Sequence, residues 1–193
     1  NMINYQYITK MKTKNIISLL AVLFSLQIFA QDDTLSKECR QNFSLYNESL
    51  KQKMYKDAYK QWRKVMDICP DSKVSLYSNG IFLTNTLMQD ASEAQKKNLL
   101  DTTKWIYETK GKYFDVDYAW KAKHGSFLMD EFNDYKGAYK RLKPVIDNWT
   151  EDISETYYIY YFSRSLLYRF VKAENREQQD SMRLEGINYY ETL

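Results

Sequence analysis

YKDAYKQWRKVMD, at residues 55–67, recurs as YKGAYKRLKPVID at residues 135–147. Seven of the thirteen aligned positions are identical, and the two copies begin 80 residues apart. In each copy, small and apolar residues recur at steps of four and three, which places them on one face of a helix. These predicted repeat-packing residues are Ala58, Trp62 and Val65 in the first copy and Ala138, Leu142 and Val145 in the second. A helix duplicated together with its apolar face predicts a repeat architecture.

The same three- and four-residue periodicity covers most of the chain, and turn-forming residues are scarce, with 5 Gly and 2 Pro in 193 residues. Because β folds need Gly and Pro in their turns, this composition favours an all-α fold. The periodicity predicts eight helices, at 34–50, 54–69, 73–89, 92–110, 116–131, 134–148, 152–172 and 174–191. Local signals separate them: Pro70 follows the second helix, Ser92 and Gln95 form a capping-box pattern, and Gly111 follows the fourth. Pro144 is expected to kink the sixth.

The short loops between these helices predict antiparallel pairs. Four such hairpins begin at intervals of roughly 40 residues. A hairpin cannot bury its apolar face alone, so stacking in a row makes a continuous core. Ala58, Trp62 and Pro70 resemble the second helix of the tetratricopeptide repeat, as do Ala138 and Leu142, although that family repeats at about 34 residues. The resemblance implies an irregular, right-handed, tetratricopeptide-like solenoid of antiparallel hairpins over residues 31–193.

The first thirty residues read as a targeting segment. Lys12 and Lys14 precede an apolar run at residues 16–29, and Ala30 precedes a polar stretch. This order is typical of a secretory signal peptide cleaved near Ala30, with residues 1–10 as an upstream extension. The alternative is a membrane anchor, but a spanning helix needs about 20 apolar residues and this run is shorter. We therefore expect export, and no transmembrane segment in the mature chain.

The charge balance argues against a nucleic-acid partner. The whole chain carries 28 basic and 25 acidic residues, a net charge of +3. Lys10, Lys12 and Lys14 lie in the predicted extension and signal peptide, which hold no acidic residue, so the mature chain is neutral. Nucleic-acid binders usually carry a basic excess, since neutralising phosphates supplies most of their affinity.

A second resemblance covers the signal peptide and the first two hairpins. The leader ends in FAQ, and residues 37–70 read KECRQNFSLYNESLKQKMYKDAYKQWRKVMDICP. Together they resemble the start of exported tetratricopeptide-repeat proteins of Bacteroidota. The resemblance implies a location in the periplasm or cell envelope. Members of that group tend to be longer, so we expect the array to be truncated at its C-terminus.

The two cysteines are predicted to form a disulfide. Cys39 lies near the start of the first predicted helix and Cys69 at the end of the second, and in an antiparallel pair these ends are neighbours. An oxidising compartment would keep the bond, which would stabilise the fold by roughly 3–4 kcal/mol. The alternative, two buried free thiols, stays open. Two cysteines thirty residues apart and one histidine do not make a zinc site, so no metal is expected.

Little in the sequence points to catalysis. His124 is the only histidine. Ser126 is two positions away on the same helix and faces elsewhere, and Asp130 is merely nearby in sequence. The chain has no glycine-rich phosphate loop. We expect no enzyme activity and no cofactor.

Tyrosine is unusually abundant, with 18 residues. Tyrosine combines a large contact area with a polar tip, which suits protein recognition. In a solenoid of this kind, the first helix of each pair lines a concave face. The tyrosines predicted to form a peptide-binding groove there are Tyr46, Tyr77, Tyr118, Tyr157 and Tyr161. The alternative is that they are ordinary helix-packing residues.

The sequence therefore favours a non-enzymatic scaffold that binds a protein or peptide partner in the cell envelope. One alternative is a carbohydrate- or nutrient-binding accessory protein. Another is an unrecognised helical enzyme whose polar site is assembled from distant helices.

Overall fold

A computed structural model describes residues 35–148 and 157–192, so the predicted upstream extension and signal peptide at residues 1–30 lie outside the described residues. The chain divides into two units, residues 1–41 and 42–193, and the described part of the first is the beginning of helix α1. Over the described residues the protein has eight helices and no strand, which confirms the all-α prediction. The helices are α1 Lys37–Lys51, α2 Tyr55–Ile68, α3 Ser75–Met88, α4 Glu93–Tyr113, α5 Tyr118–Phe132, α6 Tyr135–Asp147, α7 Tyr157–Val171 and α8 Arg176–Thr192. None of these helices is both long enough and apolar enough to cross a membrane.

Polar side chains cap the starts of five of the described helices, and Ser36 and Asn175 accept from backbone N–H groups at the starts of α1 and α8. At α4 the Gln95 side chain accepts from the backbone N–H of Ser92 at 2.9 Å, which confirms the predicted capping box. Asp117 and Asp134 accept from backbone N–H groups at the starts of α5 and α6. Such caps satisfy N–H groups that have no partner inside the helix and each stabilise it by about 1 kcal/mol.

The prediction that α4 ends before Gly111 was wrong. The helix continues to Tyr113, and the N–H of Phe114 still bonds to the carbonyl of Lys110. Glycine inside a helix costs only about 1 kcal/mol relative to alanine, so one glycine does not end a helix whose other residues favour it. The sixth predicted helix is present as α6, which contains Pro144 and continues to Asp147, while the kink at Pro144 stays a prediction.

In the second unit, helices pack mainly on their neighbours in sequence. From α2 onward each helix contacts the next, and α5 also contacts α7. The interior around α2 to α4 centres on Trp62, Leu76 and Ile106. The interior around α5 to α8 centres on Leu142 and Phe162.

All six predicted repeat-packing residues are buried at 0% exposure. Two glycines allow close approach to the large residue of each copy. A Cβ on Gly80 of α3 would lie 2.3 Å from Trp62, and a Cβ on Gly125 of α5 would lie 2.7 Å from Leu142. Because real Cβ contacts are never this short, both positions require glycine. The Trp62 indole also donates a hydrogen bond to the carbonyl of Leu76 at 2.8 Å.

Candidate functional site

Large apolar side chains are exposed mainly on the last two helices. Among the described residues, eight of the fourteen exposed large apolar side chains lie on α7 and α8. They are Tyr157, Tyr160, Leu167, Tyr168, Val171, Leu184, Ile187 and Tyr190. Scattered single apolar residues are ordinary on a protein surface, but a contiguous group marks a site of association.

Two of these eight, Leu167 and Tyr190, line a groove of about 430 Å³ between α7 and α8, which we call the α7–α8 groove. Its apolar lining comes from Ile159, Phe162, Leu166, Leu167 and Phe170 of α7 and from Met182, Tyr189 and Tyr190 of α8. Among the described residues of the lining, Arg183 is the one that carries a charge. Gly186 of α8 allows the two helices to approach, since a Cβ there would lie 3.3 Å from the Leu166 side chain.

The sequence of α7 explains why the described helices leave the groove uncovered. Tyr158, Phe162, Ser165 and Leu166 form the buried face of the helix. Apolar residues continue around the opposite side, where Leu167 is 61% exposed. A helix that is apolar on all sides is normally buried on all sides. Here the neighbouring helices bury one side and leave the other accessible.

Beside this groove, a polar cluster joins α6 to α8. Lys143 donates to Tyr189 at 2.6 Å and to both carboxylate oxygens of Asp147 at 2.9 and 3.0 Å. Tyr189 in turn donates to Asp147. The hydrogen bond to Tyr189 is the main cause of a raised Lys143 pKa. Burial favours protonation of Asp147, but its bonds from Tyr189 and Lys143 outweigh burial and lower its pKa.

A second part of the polar cluster surrounds Tyr139. Its hydroxyl donates to Glu185, and the Arg169 guanidinium lies 3.7 Å from the centre of its ring. Arg169 and Lys143 lie 3.9 and 4.0 Å from the Glu185 carboxylate. Burial, followed by the bond to Glu185, raises the pKa of Tyr139 to about 12. Each charged group of the cluster is thus close to a group of opposite charge, which suits a structural contact between helices.

The predicted tyrosine groove is not assembled as one surface. Tyr46 and Tyr77 are 1% and 0% exposed, so neither can line an open groove. Tyr77 packs inward because its hydroxyl donates to the carbonyl of Pro70 at 3.1 Å. The structure does bring Tyr157 and Tyr161 together, with ring centres 5.9 Å apart.

Of the other three tyrosines, Tyr157 is 40% exposed and Tyr118 and Tyr161 are half-buried. Tyr161 donates to Asp130, and that bond, followed by burial, raises its pKa to about 12. The prediction missed Leu167 and Tyr190 of the α7–α8 groove. The apolar character of α7 on several sides was the available signal for Leu167.

The other candidates are placed as follows. Cys39 and Cys69 are buried and neither is a free thiol, while their pairing stays a prediction. His124 is buried, and Ser126 donates to the carbonyl of Ala122 instead of to the imidazole. Across residues 35–148 and 157–192, no cluster of three His, Cys, Asp or Glu side chains could hold a metal ion.

Comparison with models of protein families, with curated proteins and with solved structures gives no match for this chain. A functional hypothesis therefore rests on the surfaces of the protein itself.

Proposed function

We propose that this protein is an exported, tetratricopeptide-like scaffold that binds a protein partner in the cell envelope through the α7–α8 groove. The observation that carries the proposal is the groove itself, which is apolar and which the described part of the chain leaves uncovered. Water contact with so much apolar surface is unfavourable, at about 25 cal/mol per Å², and a docked partner removes it.

Equivalent contacts in the two copies of the duplicated helix support the solenoid. Tyr59 of α2 reaches Thr102 of α4, with 3.3 Å between the hydroxyl oxygens. Tyr139, the equivalent residue of α6, reaches Glu185 of α8. Each tyrosine therefore contacts the helix two further along the chain. Stacked hairpins would produce this relation in every unit.

The chemistry of the α7–α8 groove favours an amphipathic helix as the partner element. A groove between two helices accepts the apolar side chains of a third at spacings of three and four residues. Arg183 in the lining would favour an acidic side chain at the edge of such a helix. A polar sugar would cover less of this lining with apolar surface than such a helix would.

The proposal can be tested by site-specific photo-crosslinking in envelope extracts. A photoreactive residue is placed at position 167, in the groove, or at position 45 of α1 as a matched control. Leu167 and Leu45 are exposed to similar extents, 61% and 53%. We expect a specific protein adduct from position 167 and none from position 45. In the photoreactive chain, Tyr190→Ser should weaken the adduct, because it removes apolar contact area beside the crosslinker.

Two results would contradict the proposal. One is the same set of adducts from both positions, which would indicate nonspecific contact. The other is recovery of glycans or small molecules without any protein, which would favour the carbohydrate- or nutrient-binding alternative.

A further inference from the structure

A basic cavity of about 400 Å³ lies between α4, α5 and α6, on other helices than the α7–α8 groove. Over residues 35–148 and 157–192, four cationic side chains line it, and Glu108 is the one acidic residue. The cations are Lys112, Lys121, Lys140 and Arg141. In the described part of the chain, none of the four has a carboxylate within ion-pair distance. The cavity therefore concentrates positive charge that the fold leaves unmatched.

His124 supplies a hydrogen-bond donor in the same lining. The Arg141 Nε–H donates to His124 Nδ1 at 3.2 Å. Because a guanidinium can only donate, Nδ1 is unprotonated and the neutral ring carries its proton on Nε2. Nε2 is buried and has no hydrogen-bond partner among the described residues, in a side chain only 3% exposed. Buried donors are nearly always bonded, so an unpaired one in a cavity lining points to a ligand.

Aromatic rings form another wall of this cavity. Trp120 and Tyr107 lie with ring centres 4.9 Å apart, and the His124 ring stacks on Tyr107 at 5.0 Å. The indole N–H of Trp120 already donates to the carbonyl of Tyr107 at 3.3 Å. The wall is therefore apolar, while Lys110, only 7% exposed, lies 4.1 Å from the centre of the Trp120 ring and adds positive charge.

We propose that this cavity binds a small organic anion, whose carboxylate or phosphate oxygens are held by Arg141, the lysines and His124 Nε2–H. The uncharged part of the ligand lies on the aromatic wall. Arginine and lysine supply charge-assisted hydrogen bonds, which are the strong ones for an oxyanion. Apolar walls with a few convergent polar groups are typical of small-molecule sites.

The single histidine makes the test direct. In protein labelled with ¹⁵N-histidine, the imidazole signals belong to His124 alone. The probes are benzoate, inorganic phosphate and the neutral analogue benzamide, each added at constant ionic strength. We expect a saturable shift of the Nε2 signal with benzoate, with phosphate or with both, and no such shift with benzamide. Benzoate alone would indicate a carboxylate ligand, and phosphate alone a phosphate ligand.

Variants separate the cavity from general charge effects. Arg141→Gln should raise the Kd at least tenfold. Lys112→Gln and Lys140→Gln should each raise it several-fold, and these two exposed positions tolerate substitution if Arg141→Gln unfolds the chain. Lys97→Gln, an exposed lysine of α4 outside the cavity lining, should leave the Kd unchanged. The proposal is overturned if neither anion gives a saturable shift at millimolar concentration, if benzamide matches benzoate, or if Lys97→Gln weakens binding as much as the cavity variants.

Discussion

Helices α2 and α6 carry the same thirteen-residue pattern, yet each completes its aromatic stack in a different way. In α2, Tyr59 stacks on Trp62 of its own helix, with ring centres 5.7 Å apart and an interplanar angle of 24°. In α6, the equivalent Tyr139 stacks on Phe162 of α7, at 5.7 Å and 22°. The geometry of the stack is the same, but the second ring comes from a different helix.

The helices that follow the two copies, α3 and α7, explain why the second ring of the stack comes from a different helix. When α3 and α7 are aligned on their buried residues, Leu76 matches Tyr158 and Gly80 matches Phe162. In the first copy a large residue of the repeated helix, Trp62, faces glycine. In the second a smaller residue, Leu142, accompanies a large ring on the next helix. The side-chain volume at this contact is divided differently between the two helices in each copy. Close packing allows this if the total volume is unchanged.

The two copies also differ in polarity. Tyr59 meets the neutral hydroxyl of Thr102, whereas Tyr139 meets the carboxylate of Glu185 beside Arg169. The two copies thus share a contact from the equivalent tyrosine to the helix two further along the chain, but the chemistry of that contact differs. The shape of the repeat is maintained more strictly than the residues that form it.

The largest expected effect comes from moving the arrangement of the second copy into the first. Trp62→Leu leaves a cavity and should lower the free energy of unfolding by about 3 kcal/mol. Gly80→Phe forces a ring against Trp62 and should cost about 3 kcal/mol or more. The double variant recreates the pair Leu142 and Phe162, so its loss should be smaller than the sum by about 1–3 kcal/mol. Chemical denaturation of all four proteins measures this.

Strict additivity in that cycle would contradict the idea that volume is exchanged between the two helices. Ser78→Ala, at an exposed position of α3, is the control and should change stability by less than about 0.5 kcal/mol.

The next largest effect is a pH dependence of stability that involves the second copy alone. There His124 accepts a hydrogen bond from Arg141, whose equivalent in α2 is Gln61. Burial, then the charges of Arg141 and Lys104, lower the pKa of His124 from 6.5 to about 4, against an opposing effect of Asp134. As the pH falls, the unfolded chain therefore binds a proton on His124 at a higher pH than the folded protein does. The stability that depends on a neutral His124 is complete above pH 6.5 and is lost between pH 6.5 and 4. The full loss is about 3 kcal/mol.

Unfolding of the wild type and His124→Gln at several pH values between 7 and 4 checks this expectation. The difference in stability between the two proteins should change steadily over that interval, to the disadvantage of the wild type at low pH. A constant difference would show that the imidazole is free to protonate in the folded protein.

The smallest expected effect compares the two tyrosine hydroxyls. Tyr139→Phe removes a bond to a carboxylate and should cost about 2 kcal/mol, whereas Tyr59→Phe removes a neutral bond and should cost about 1 kcal/mol. Thermal unfolding of both variants measures the difference. Equal losses would show that the charge of Glu185 adds no stability to the hydrogen bond from Tyr139.

The helices were predictable because each has a local cause. Among the described residues, the predicted starts and ends lie close to the observed ones, since periodicity and caps such as Ser92 with Gln95 act within one turn. The predicted start of the seventh helix, at residue 152, lies outside the described residues. The glycine contacts were not predictable, because Gly80 is constrained by Trp62 and Ile106, which lie 18 and 26 residues away in the sequence. For the same reason Tyr46 and Tyr77 were assigned to a surface. A tyrosine pattern does not reveal which ring the tertiary structure covers.

The neighbour-to-neighbour packing of α2 to α8 has a kinetic consequence. Contacts between helices adjacent in sequence close only short loops, so little chain entropy opposes their formation and folding should be rapid. The same locality limits cooperation between distant helices. Separation of α8 from α6 and α7 would leave the contacts among α2, α3 and α4 intact, so the chain can open from one end while these helices stay folded.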